Sequence, residues 1–193
     1  MNKVILRTAL ITIAAIAVTA LAVFSLWILC SPQTMATACE KTGNYSFAVT
    51  CADLRYKRTD NVYDLARCAE DGILSGKDGH VIKYCGALSS HAQFGELCES
   101  KDKAFGNDEL GKYRQSYKAY ICGSLAAAQY RGGDFQSSLT SAKQGGPAAF
   151  TKLAIEIAER RDGIAAKSVI GALSEYEQTV QVRNLINLLK NYV

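Results

Sequence analysis

Leu125-Ala126-Ala127-Ala128-Gln129-Tyr130-Arg131-Gly132-Gly133-Asp134-Phe135-Gln136-Ser137-Ser138 is the stretch on which the fold turns. An apolar, alanine-rich helix runs into two glycines. A short acidic residue then caps a second helix, which opens on an aromatic ring. Such a step predicts two helices joined by a tight turn. The first is predicted over about Glu109 to Tyr130, with Leu110, Tyr113, Tyr117, Tyr120, Ile121, Leu125 and Ala128 at helical intervals. The second covers Phe135 to Lys143.

The same chemistry recurs upstream. Gly43-Asn44-Tyr45 repeats the order of glycine, polar cap and aromatic, and Asp78-Gly79 and Asp162-Gly163 are looser versions. Around these junctions further helices are predicted from Gln33 to Lys41, across Ala48, Cys51, Ala52 and Leu54, and from Asn61 through Val62, Leu65, Ala66, Ala69, Ile73 and Leu74. Others follow from His80 to Ser89 with Val81, Ile82, Cys85 and Leu88 inward, and from Gln93 to Lys101, before a turn at Lys103 to Asp108. Three more carry Phe150, Leu153, Ala154 and Ile157; Ile164 to Leu173; and Val182, Leu185, Ile186 and Leu189 within Glu175 to Tyr192. No period-2 alternation marks a strand. Both prolines, Pro32 and Pro147, stand where a helix begins. The expectation is an all-α chain.

The turns resemble those of the tetratricopeptide repeat. In that family a helix pair turns at a glycine, acidic, aromatic step, with a small residue three positions after the aromatic. Here Ala48 follows Tyr45 and Ser138 follows Phe135, while Leu125 and Ala126 match the first-helix leucine and small residue. The chain departs from the pattern at Cys122, where the family has an aromatic, and in lacking the closing proline. A regular 34-residue period does not persist. The resemblance implies a helical-hairpin domain over 31–193, stacked as in a solenoid. An irregular bundle with ordinary glycine turns is the alternative.

Ahead of that domain lies an apolar run, Ala9 to Cys30, and no charged residue occurs from Thr8 to Cys39. As a helix this run is about 33 Å long, near the thickness of a bilayer's hydrocarbon core. Lys3 and Arg7 precede it and no basic residue follows until Lys41. The positive-inside bias then places residues 1–8 in the cytoplasm and the domain outside. A cleaved export signal ending at Ala36-Thr37-Ala38 is the competing reading, and Cys39 also resembles a lipoprotein acylation site. The apolar run is longer than a usual signal core and lies well upstream of both.

Beyond residue 30 the chain carries 20 basic and 18 acidic residues, a formal +2. That balance, without a run of like charges, does not imply nucleic acid. Six cysteines, Cys39, Cys51, Cys68, Cys85, Cys98 and Cys122, follow Cys30. Three disulfides are arithmetically open. Several of the six fall on apolar helix faces, which favours free thiols acting as small hydrophobes.

Patterns that carry chemistry are absent from the sequence. His80, Cys85, His91 and Cys98 lack zinc-ligand spacing. The acidic pair Asp108-Glu109 sits at a helix start, where the dipole accounts for it. No catalytic residue, metal ligand or cofactor is expected. Tyr113, Tyr117 and Tyr120 recur on one helix, as packed rings or as a surface recognising a peptide or glycan. The resulting expectation is a membrane-anchored, non-catalytic scaffold or adaptor for a protein partner, similar to bacterial envelope proteins with an N-terminal anchor. A subunit packing through its anchor is the alternative, with an exported enzyme behind it.

Overall fold

The computed structural model describes residues 3–105 and 116–193. Among these, eleven α-helices and no strand occur. The first, α1, spans Lys3–Cys30, and none of its most apolar window is buried by the rest of the chain. It is long and apolar enough to cross a membrane. The Thr12, Thr19 and Ser25 hydroxyls donate to the carbonyls of Thr8, Ala15 and Leu21, so their polarity is spent inside the helix.

Only Ser31 separates α1 from α2, Pro32–Lys41. Proline opens the new helix, where its missing N–H costs nothing. The end of α1 rests on the next helix, α3 (Tyr45–Thr59). Phe24 stacks on Phe47 with ring centroids 6.0 Å apart, and Arg58 donates to the Leu29 carbonyl.

From there the helices pack largely on their chain neighbours. α3 lies against α2 and against α4 (Val62–Leu74), and α4 against α5 (Asp78–Ser89). α6 covers Phe94–Phe105, and Ser116 caps α7 (Tyr117–Arg131). α7 packs on α5, on α8 (Phe135–Gly145) and on α9 (Phe150–Arg160). α9 in turn meets α10 (Gly163–Ser174) and α11 (Val180–Lys190).

α7 joins two cores. Its Ile121, Cys122 and Leu125 belong with Leu65, Cys68, Cys85 and Leu88; its Ala126 and Tyr130 belong with Phe150, Leu153, Ile157 and Val182. Small side chains along α7 let helices approach from several sides. All seven cysteines are free; Cys30 is exposed and the other six are buried. Cys68, Cys85 and Cys122 fill the first core as small apolar groups.

Three turns share one hydrogen-bond geometry. At the first, Gly43 adopts φ 74°, its N–H donates to Glu40 O, and the Asn44 N–H donates to Cys39 O. At the second, Gly133 has φ 88°, with Gly133 N–H to Tyr130 O and Asp134 N–H to Gln129 O. Positive φ at these two positions is the reason for glycine. The polar residue then caps the next helix: Asn44 Oδ1 accepts from Phe47 N–H and Asp134 Oδ1 from Ser137 N–H. Ala48 and Ser138, the small residues of the motif, are fully buried.

The third turn is closer to these than its sequence suggests. Arg161 takes the left-handed position at φ 52°, Asp162 N–H donates to Ile157 O, Asp162 Oδ1 accepts from Ala165 N–H, and Ala166 is buried. Its aromatic is replaced by Gly163 because a Cβ there would meet the Tyr192 carbonyl oxygen at 2.6 Å. Asp78, by contrast, is not a cap: Lys77 occupies that place and Asp78 pairs with Arg131.

Several boundaries differ from the expected ones. α5 begins at Asp78 rather than His80, and α6 continues to Phe105, through the start of the turn expected at Lys103. Glu175 to Thr179 is not helical, because Thr179 caps α11 instead. Leu74 and Ile82, expected inward, are exposed. The helix expected from Glu109 begins at Tyr117, because Ser116 takes the N-cap position; residues 109–115, Leu110 among them, lie outside the described residues.

Candidate functional site

A surface cleft of about 520 Å³ opens between α2, α3, α4 and α6. Glu40 ends α2, Tyr45 begins α3, and α4 supplies Tyr63, Arg67, Glu70, Asp71 and Leu74. Lys101 reaches in from α6. α4 contributes five of the eight lining residues; Arg67 and Asp71, and likewise Glu70 and Leu74, are four residues apart on one helical side.

Most of the charges are paired. Arg67 Nε lies 2.6 Å from Glu40 Oε1, and its Nη2 donates to Thr37 Oγ1 at 2.7 Å. Lys101 Nζ lies 2.8 Å from Glu70 Oε1. That same oxygen accepts the Tyr117 hydroxyl at 2.8 Å. Asp71 is the exception. It is 3% exposed, and its Oδ2 has no hydrogen-bond partner among the described residues. Burial first, then the neighbouring Glu40 carboxylate, push its carboxyl up to about 7, against the pull of Arg67. The buried site thus favours the protonated form of Asp71 beside Glu40.

The tyrosines expected on a recognition surface divide. Tyr117 is 5% exposed; its ring belongs to the core and only its hydroxyl reaches the cleft, through Glu70. Burial, then Glu70, raise its phenol far above the ordinary range. Tyr120 is half-buried, 4.8 Å from Lys152 Nζ. Tyr113 lies outside the described residues. Of the turn residues, Tyr45 is the one in the cleft. Gly133 and Phe135 border a second hollow with Tyr130, whose hydroxyl donates to Asp162 Oδ2 at 3.0 Å and so ties two turns together.

Glu40, Arg67, Glu70, Asp71 and Lys101 were not visible as a site in the sequence, since they come from three helices. The one local sign is Glu70-Asp71 beside Ala69 and Gly72, two adjacent acids on the buried stretch of α4.

A smaller cleft of about 230 Å³ contains Ser124 and Lys152. Lys152 Nζ donates to Ser124 Oγ at 2.7 Å, and burial lowers the lysine's pKa. The spacing is that of a nucleophile and base. Ser124 nevertheless sits mid-helix, its Oγ donating to the Tyr120 carbonyl, and the surrounding N–H groups bond within α7. Donors for an oxyanion are thus tied up. His80 Nδ1 lies 3.2 Å from Ser75 Oγ, and His91 Nδ1 accepts from Gln93 N–H; each serves a turn. Among the described residues no group of three or more His, Cys, Asp or Glu is arranged to hold a metal ion. No protein-family model, curated protein or solved structure matches the chain.

Proposed function

We propose that the protein is a membrane-anchored adaptor, held by α1 with its N-terminus in the cytoplasm. Its tetratricopeptide-like helical domain binds a protein partner outside, through the cleft between α2 and α6. The observation that carries this reading is the contrast between α1 and the rest. One long apolar helix touches the rest only at its C-terminal end and leaves its most apolar window unburied, while the helix stack behind it buries its apolar faces and offers a charged, partly aromatic cleft. The repeated turn geometry at Gly43, Gly133 and Arg161 supports a stack built from related hairpins. The role is non-catalytic.

Crosslinking in intact membranes, with partners identified by mass spectrometry, tests the proposal. A partner crosslinked to the domain, and retained when α1 is replaced by an unrelated span, is the expected result. A second reading is favoured by Ala14, Ala15, Ala17, Ala20 and Ala22, small residues that permit close helix approach in lipid. On that reading the protein is a subunit packing through α1, and replacing α1 abolishes the crosslinks. Such a loss would sink the adaptor role.

A further inference from the structure

The cleft between α2, α4 and α6 has three carboxylates, Glu40, Glu70 and Asp71, and two bases, Arg67 and Lys101. Each base is committed to one carboxylate at hydrogen-bond distance, Arg67 to Glu40 and Lys101 to Glu70. One acid is left over. It is the most buried of the three, and its Oδ2 has no donor among the described residues. A buried oxygen left in this way is costly, and the cost is removed by whatever brings a donor.

We infer that this cleft receives one cationic side chain, lysine or arginine, from the protein partner, seated over Asp71 and bordered by the rings of Tyr45 and Tyr63. The inference rests on the adaptor reading and adds the chemistry that the partner must present.

Several observations converge on a cation. With all five groups ionised the cleft carries one surplus negative charge; a proton on Asp71 suppresses it, and a carboxylate or phosphate ligand offers nothing to take that proton's place. A neutral ligand would leave Asp71 where it is now, holding a proton next to Glu40. An ammonium or guanidinium supplies both the missing charge and the missing N–H, and the displaced proton leaves to solvent. Tyr63 is 55% exposed and Tyr45 half-buried, so two aromatic faces stand at the rim where the alkyl stem and charge of such a side chain would pass. A divalent metal ion is the poorer match, since no ligating group of three is arranged for it among the described residues.

The test uses the full chain in nanodiscs of zwitterionic lipid. The probes are photoreactive nonapeptide libraries of Ala and Ser with one fixed central residue: lysine, arginine or norleucine. Crosslinked positions are read by mass spectrometry. Lysine and arginine libraries should label the cleft rim at Tyr45, Tyr63 or Leu74 at least tenfold more than norleucine. Asp71→Asn should reduce that labelling about tenfold, while Glu99→Gln, outside the cleft, should not. Lys101→Met frees Glu70 and should raise labelling several-fold, a gain that misfolding cannot imitate.

Equal labelling by norleucine, no loss in Asp71→Asn, or no labelling of the cleft would each overturn the inference. So would occupation by free 1,5-diaminopentane, seen as protection of the rim, without labelling by the lysine peptides. A membrane partner captured equally by wild type and Asp71→Asn removes the cation and keeps the adaptor. Cleft labelling with no partner captured in membranes keeps the cation site and removes the adaptor.

Discussion

Replacing Asp71 by asparagine should make the protein more stable at alkaline pH and leave its stability at acid pH nearly unchanged. The carboxyl stands at about 7 in the fold against an ordinary 3.8. A raised acid is stabilising while protonated, so its contribution is complete below pH 3.8 and is lost as pH climbs through about 7. Each unit corresponds to ~1.4 kcal/mol, so the full penalty is on the order of 4 kcal/mol, and about 3 kcal/mol of it falls between pH 5 and pH 8. Sharing of the proton with Glu40 spreads this over two groups, which places the loss assignable to Asp71 nearer ~2 kcal/mol. Asparagine keeps the shape and offers an amide N–H to Glu40 where the proton was. Urea unfolding of the full chain in non-ionic detergent, followed by circular dichroism at pH 5, 6, 7 and 8, measures the difference between the two proteins. His80, whose pKa burial lowers, acts with the opposite sign, losing its contribution as pH falls below 6.5. It is common to both proteins and cancels. A variant-minus-wild-type difference that stays flat across this range would refute the assignment of the penalty to Asp71.

Other consequences are equally direct. An impermeant maleimide applied to intact cells should label one thiol, Cys30, and Cys30→Ser should abolish the signal. The other six are buried, and burial pushes Cys68 and Cys85 up to about 12; labelling seen only in inverted vesicles would reverse the proposed orientation. Arg161→Gly should raise stability by about 1 kcal/mol, because the left-handed turn position strains a residue with a Cβ, and a lowered melting temperature would contradict this. Gly163→Ala should destabilise by roughly 1–3 kcal/mol through collision with the Tyr192 carbonyl, read by the same thermal melt. Asn44→Ala should cost about 1 kcal/mol by removing the cap on α3; no change in melting would show that cap to be dispensable.

The helices were largely legible in the chain because their signals are local. Val62, Leu65, Ala66 and Ala69 repeat at helical intervals and are buried as the pattern requires. The caps at Asn44 and Asp134 and the glycines before them were readable for the same reason. Where boundaries shifted, a competing local group decided, as with Thr179 taking the start of α11 from Glu175. The Asp162 turn looked weaker than its partners because Arg161 and Gly163 stand where glycine and an aromatic were expected. Only the placement of Tyr192 explains the second exchange. The cleft was hidden for a related reason. Asp71 reads as one more acid on a polar helix side until Glu40, 31 positions earlier, and Lys101, 30 positions later, are brought beside it. Three-helix convergence leaves no periodic trace.

The lone serine between α1 and α2, with Phe24 against Phe47 and Arg58 on the Leu29 carbonyl, leaves no slack at that junction. On the proposed reading, a domain mounted on so stiff a stalk could not swing out to search for a partner. With α1 in lipid as proposed, the mouth of the cleft would stay at a fixed height above the surface, and encounter would become a lateral search within a thin layer. Lengthening the junction with a flexible glycine–serine insert would relax that constraint and trade a favourable local concentration for reach.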